Sequence, residues 1–185
     1  MMFSEDRVSQ MAAYFLQRSG GRMAYIKLIK LLYLADRTAM GKWGDSMSGD
    51  RFVSMDNGPV LSKTYALICG VQSSSKFGWN YWIKGEENYE VSVRRKADRD
   101  DLDELSDVDI EILEEVFEKF GSFERFALCD YTHDYCAEWE DPHGSSYPIN
   151  PEDVFRALGK NEDQVRALVQ HYNMQRQLDI VRNSL

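Results

Sequence analysis

The stretch Lys27-Leu28-Ile29-Lys30-Leu31-Leu32-Tyr33-Leu34-Ala35-Asp36 constrains this chain more than any other. Ile26, Ile29, Leu32 and Tyr33 follow helical spacing, while Leu28 and Leu31 widen the apolar face. A helix apolar over so much of its circumference has no side to offer to water, so it belongs at the centre of a domain. The spacing predicts this helix over about 24–40. Every other element must then supply a surface that packs around it.

Caps and periodicities predict those elements. Ser4 is placed to cap a helix in which Val8, Met11, Ala12, Phe15 and Leu16 form one stripe, ended by Gly20-Gly21. Arg51 to Met55 reads as a short strand. Asn57-Gly58 turns the chain, and Pro59 suits the first turn of a helix reaching Cys69, because its missing N–H is not needed there. The runs Trp79–Ile83 and Tyr89–Val93 predict a β-hairpin around a loop of about five residues. Alternation puts Trp79, Tyr81 and Ile83 on one face of it and Asn80 with Trp82 on the other, so Trp82 is expected to be exposed. Beside Arg94-Arg95-Lys96 it would form part of a recognition surface. The acidic run 98–104 reads as a solvated connector.

Ser106 can cap a helix carrying Ile110, Leu113, Val116, Phe117 and Phe120, with Asp107, Asp109 and Glu111 near its positive end and Gly121 at its close. Ser122 opens the next helix, and 136–147 reads as irregular. Asn150-Pro151 starts a short helix to Leu158. The last helix is predicted over about 161–183; its stripe of Val165, Leu168, Val169 and Tyr172 loosens towards Leu178, Ile180 and Val181, leaving that end to fray or to dock on a partner. The expected fold is α+β, mostly α: one compact helical domain over 1–185 with a small antiparallel sheet or β-hairpin.

With 43% hydrophobic and 12% aromatic residues, a chain of 185 can bury a core, which opposes global disorder. It holds 31 acidic against 22 basic residues, a net charge of −9. That balance opposes non-specific nucleic-acid binding and suits a solvated surface or a basic partner. Cys69, Cys129 and Cys136 are an odd set, better suited to reduced thiols than to a disulfide framework. The start, Met1-Met2-Phe3-Ser4-Glu5-Asp6, is acidic where a signal peptide is basic, and no apolar run nears the roughly 18 residues of a membrane span. A cytoplasmic location with no membrane partner is expected.

The sharpest chemical constellation is Cys129, His133, Cys136 and His143. Cys129 and His133 share a helix face at four-residue spacing, and the four donors would suffice for tetrahedral zinc. The spacing is not a familiar zinc signature, so a core cysteine and a hydrogen-bonded histidine are the default. Cys136 with His133 would make a thiol–imidazole pair. No nucleophile elbow, metalloprotease motif or phosphate-binding glycine loop is present. Asn57-Gly58-Pro59-Val60 can be read as an anion site at a helix start, but Pro59 removes a donor and Asp56 adds negative charge, which favours a plain turn.

Several pieces in order resemble the Panacea (SocA-type) antitoxin domain of prokaryotic and phage toxin–antitoxin loci. They are Lys27-Leu28-Ile29-Lys30-Leu31-Leu32-Tyr33, then Gly58-Pro59-Val60 with Tyr65, then Thr132-His133 and Trp139, followed by Tyr147-Pro148-Ile149. The resemblance covers about 5–160. It implies a non-enzymatic antitoxin, without cofactor, metal or catalytic residues, that binds a cognate protein toxin directly and masks it or presents it to a protease. Under it, Tyr33, Asp36, Asp56, Asn57 and Trp82 are the candidate partner-binding residues, while the shared motif residues serve the scaffold. The competing readings are a metal-dependent or thiol enzyme built on Cys129, His133 and Cys136, and a regulator that contacts DNA.

Overall fold

The cap on Ser4 forms as expected: its Oγ accepts from Arg7 N at 3.2 Å and opens α1, Glu5–Arg18. A computed structural model describes residues 2–182. After α1 come β1 (Arg22–Ala24), α2 (Tyr25–Trp43), β2 (Phe52–Met55), β3 (Gly58–Leu61), α3 (Ser62–Ile68) and the single turn α4 (Trp79–Trp82). The hairpin strands β4 (Ile83–Glu86) and β5 (Glu90–Val93) lead through a 3-10 turn to α5 (Asp107–Phe120) and α6 (Arg125–Tyr135). β6 (Tyr147–Ile149), α7 (Pro151–Ala157) and α8 (Glu162–Arg182) complete the described chain. The fold is α+β and mostly α, with two three-stranded antiparallel sheets in the orders β1-β5-β4 and β3-β2-β6.

α2 lies at the centre. Every residue from Leu28 to Asp36 is buried, the two charged ones included. α1, α5, α6, α7 and β3 pack around it. It runs to Trp43, past the predicted end at 40, and stops where Gly44 turns left-handed at φ 78° and returns its N–H to Met40 O. The buried stripes of α1 (Val8, Met11, Phe15, Leu16) and α5 (Ile112, Leu113, Val116, Phe120) join it in one apolar cluster. Ser106 and Asp109 form a reciprocal capping box at the start of α5, and Pro151 occupies the first turn of α7. α8 ends at Arg182 among the described residues; residue 183 of its predicted span lies outside them.

Several local expectations are corrected. Gly58–Leu61, expected as a helix start, is a strand paired antiparallel with β2, and the helix begins only at Ser62. Trp79–Trp82, expected as a strand, is one helical turn, so Trp79 and Trp82 fall three apart on the same inward face. Trp82 is therefore buried at 4% exposure, not exposed. The hairpin loop is 87–89, three residues, because β4 starts only after that turn. Tyr147–Ile149 also adds an unexpected strand beside β2.

Candidate functional site

Asp56 and Asn57 form the tip of the β2–β3 hairpin and are both exposed. Neither has positive φ; Gly58 takes it, at +94°, which only glycine adopts without strain. Gly58 is also a point of close approach. A Cβ there would stand 2.6 Å from Thr132 Oγ1, 3.0 Å from Lys30 Nζ and 3.2 Å from the His133 ring. The hairpin is thus pressed against α2 and α6 with no room for a side chain. Asp56 Oδ1 accepts from Gly144 N at 2.8 Å, tying the tip to the 141–146 segment.

Pro59 sits on an edge strand of its sheet. N and O of one strand residue point the same way, so the side lacking a donor faces away from β2 and no ladder bond is lost. Lys30 Nζ donates to Pro59 O at 2.8 Å. Lys30 is fully buried, with no carboxylate ion pair among the described residues, and burial pulls its ammonium down to about 8. Lys27 donates to Gly121 O at 2.7 Å, placing a cation at the negative end of α5.

Beneath the tip, Glu138 binds α2. Its carboxylate accepts from Tyr33 OH and from Arg37 Nε and Nη2, the guanidinium bonds at 2.6 and 3.1 Å. Both side chains of the ion pair are largely buried, and Glu138's is wholly so. Burial and the adjacent carboxylate hold the Tyr33 hydroxyl protonated far above its ordinary range. The next residue, Trp139, donates from Nε1 to Met55 O at 2.9 Å and stacks on His133, with ring centroids 4.0 Å apart. One clamp therefore fixes the 136–140 segment to the central helix and the hairpin to that segment. Arg37 and Glu138 were not singled out from sequence; the available signal was Arg37, one helical turn beyond Tyr33, and an acidic residue beside Trp139.

Asp36 does a similar task at the other end. Its carboxylate accepts from Met47 N and Ser48 N, each at 2.9 Å, and from Ser48 Oγ. Complete burial nevertheless raises it to about 7. Asp50, in the same loop, accepts from Lys63 N, Thr64 N and Thr64 Oγ1, capping α3 from twelve residues before its start.

Of the five candidate contact residues, Asp56 and Asn57 lie on the surface, while Tyr33, Asp36 and Trp82 are buried. Beside the exposed pair is a cavity of about 280 Å³. Tyr25 and Tyr65, 6.5 Å apart by ring centroid, form one wall, with Ile26, Met55 and Val60 also lining it. The His133 ring lies against Gly58, Cys129 and Cys136 are buried, and His143 is exposed beside Asp141. No three His, Cys, Asp or Glu side chains among the described residues are placed to hold a metal ion. Burial pushes the Cys136 thiol up to about 12 and raises Cys129, keeping both protonated near neutrality. The Nε2 of His133 is buried without a hydrogen-bond partner among the described residues.

The helical scaffold thus locks a small edge hairpin onto its central helix and presents the tip beside an aromatic groove. The sequence model of the antitoxin SocA-like, Panacea domain family matches residues 28–140, and the chain belongs to that family. The match runs from the central helix through the Glu138 clamp. No curated protein and no solved structure matches the chain. Among the described residues no helix is long and apolar enough to cross a membrane.

Proposed function

We propose that the chain, acting as one domain in the cytoplasm, is a non-enzymatic antitoxin that neutralises a cognate protein toxin by direct binding. The observation that carries this reading is the family match across the elements that build the hairpin and its clamp. The exposed Asp56–Asn57 tip and the groove walled by Tyr25 and Tyr65 form the contact surface. Tyrosine supports that role because its ring brings large contact area with few rotatable bonds to immobilise. Tyr33 acts from beneath by holding Glu138 and its segment in place, whereas Asp36 fixes the 47–48 loop and Trp82 packs with Tyr81, away from the tip.

Co-expression with the adjacent gene tests the proposal. Growth is expected to be lost with the neighbour alone and restored when this chain is supplied, with the two proteins recovered together. A neighbour that kills equally with and without this chain sinks the reading. Asn57→Ala with Tyr65→Ala is expected to lose rescue while the melting temperature holds. Masking predicts rescue in cells lacking the host protease; presentation for degradation predicts its loss there.

A further inference from the structure

A second groove, of about 410 Å³, opens between α1 and the 98–104 segment. Its floor is aromatic. Tyr81 stands edge-on to both Phe77 and Trp82, with centroids 5.7 and 5.4 Å apart and interplanar angles of 84° and 86°. Phe77 is 57% and Tyr81 36% exposed, so two of the three rings offer open surface. The rim is acidic, formed by Asp6, Asp100, Asp101, Asp103 and Glu104.

The chain's own Arg95 shows what this combination holds. Its guanidinium lies 4.9 Å from the Tyr81 ring centroid and 5.0 Å from that of Trp82. The same group hydrogen-bonds the Tyr81 hydroxyl and pairs with Asp101 at 3.2 Å. Rings beneath and carboxylates at the edge are what a planar, weakly hydrated cation requires. One arginine does not balance the rim: among the described residues, Asp6, Asp100 and Glu104 make no ion pair. Lys76 Nζ lies over the Phe77 ring, 5.0 Å from its centroid, and the ring remains 57% exposed beside these carboxylates, so two internal cations face a rim of five acidic groups.

We propose that this groove docks an arginine-bearing segment of a basic protein partner, whose guanidinium stacks on the Phe77–Tyr81 rings and competes with Arg95 for that position. The net charge of −9 favours such an encounter, and the aromatic floor gives it a preference for arginine that an acidic surface alone lacks. The groove is separate from the hairpin tip and from its tyrosine-walled cavity, so it stands or falls independently of the toxin-contact assignment.

The test titrates the full chain into fluorescently labelled hexa-arginine and hexa-lysine peptides, followed by anisotropy at low and physiological salt. Saturable binding is expected, tighter for arginine. It should weaken severalfold in Phe77→Ala and in Asp100→Asn/Glu104→Gln, and stay unchanged in Glu111→Gln/Glu118→Gln, which removes equal charge from exposed positions on α5. Arg95→Ala should bind about two- to fivefold tighter, since the internal competitor is gone. Should that variant fail to fold, the other two groove variants decide. Equal affinity for the two peptides, an equal loss in the α5 control, or no saturable binding overturns the proposal.

Discussion

The molecule contains two short antiparallel hairpins that differ in what holds their turns. The β2–β3 turn is backed by buried polar chemistry: Lys30 on the Pro59 carbonyl, Trp139 on the Met55 carbonyl, and Thr132 against the Gly58 backbone. The β4–β5 turn is held by a backbone hydrogen bond, Tyr89 O accepting from Tyr25 N at 2.9 Å, with Asn88 and Tyr89 both at φ 61° and Tyr89 76% exposed. Glycine supplies the left-handed residue where the side chains of Thr132, Lys30 and His133 press close, whereas Asn and Tyr are tolerated where the turn is exposed. The lesson is that packing around a turn, more than its type, decides which residues it accepts.

Gly58→Val attacks the tighter hairpin and should have the largest effect. A β-branched residue at that φ is strained by about 1–3 kcal/mol, and crowding Thr132 and Lys30 adds about 1–3 kcal/mol of overpacking. Denaturant unfolding measures the sum; an unchanged midpoint would remove the close approach from the account. Glu138→Ala comes next. It leaves the Arg37 guanidinium without its carboxylate and should destabilise by about 3 kcal/mol. Amide exchange should quicken in 52–61 and 136–140 but hardly in 83–93; equal quickening in both hairpins would erase the distinction between them.

The two buried charges of α2 give pH dependences of opposite sign. Asp36 titrates near 3.8 when free and at about 7 when folded, so its contribution is intact below pH 4 and is lost as pH rises towards 7. Lys30 is lowered from 10.5 to about 8, so stability should grow as pH rises between those values. Asp36→Asn should flatten the acidic slope and Lys30→Met the alkaline one, read from unfolding curves across pH. Slopes that persist in the variants would assign them to other groups. The smallest effect is expected at the open turn: Tyr89→Gly relieves a left-handed tyrosine and should change stability by no more than about 1 kcal/mol.

Much of this architecture is written locally. Ser4, Ser106 with Asp109, and Asn150-Pro151 start helices because side chains beside the start satisfy or remove its free N–H groups. The all-round apolar character of 28–36 placed α2 at the centre, and the order of the motif pieces carried the family resemblance. The failures were also local in origin. Pro59 suits a helix start and a sheet edge equally well, and only Lys30 and β2 choose between them. A two-residue period puts Trp82 on the outer face, but the chain there completes a helical turn that carries it inward.

By itself, then, the sequence determined the longer helices, the caps at Ser4 and Ser106, the central position of α2 and the family. Each depends on residues within a few positions of one another, or on a burial demand that one face makes alone. The tertiary structure decided which candidate contacts reach the surface, how Arg37 and Tyr33 meet Glu138 across about a hundred positions, and where Arg95 lies between aromatic rings and acid. Buried ion pairs and stacked rings are chosen by distance in space, and spacing along the chain carries no record of that distance until the core has formed.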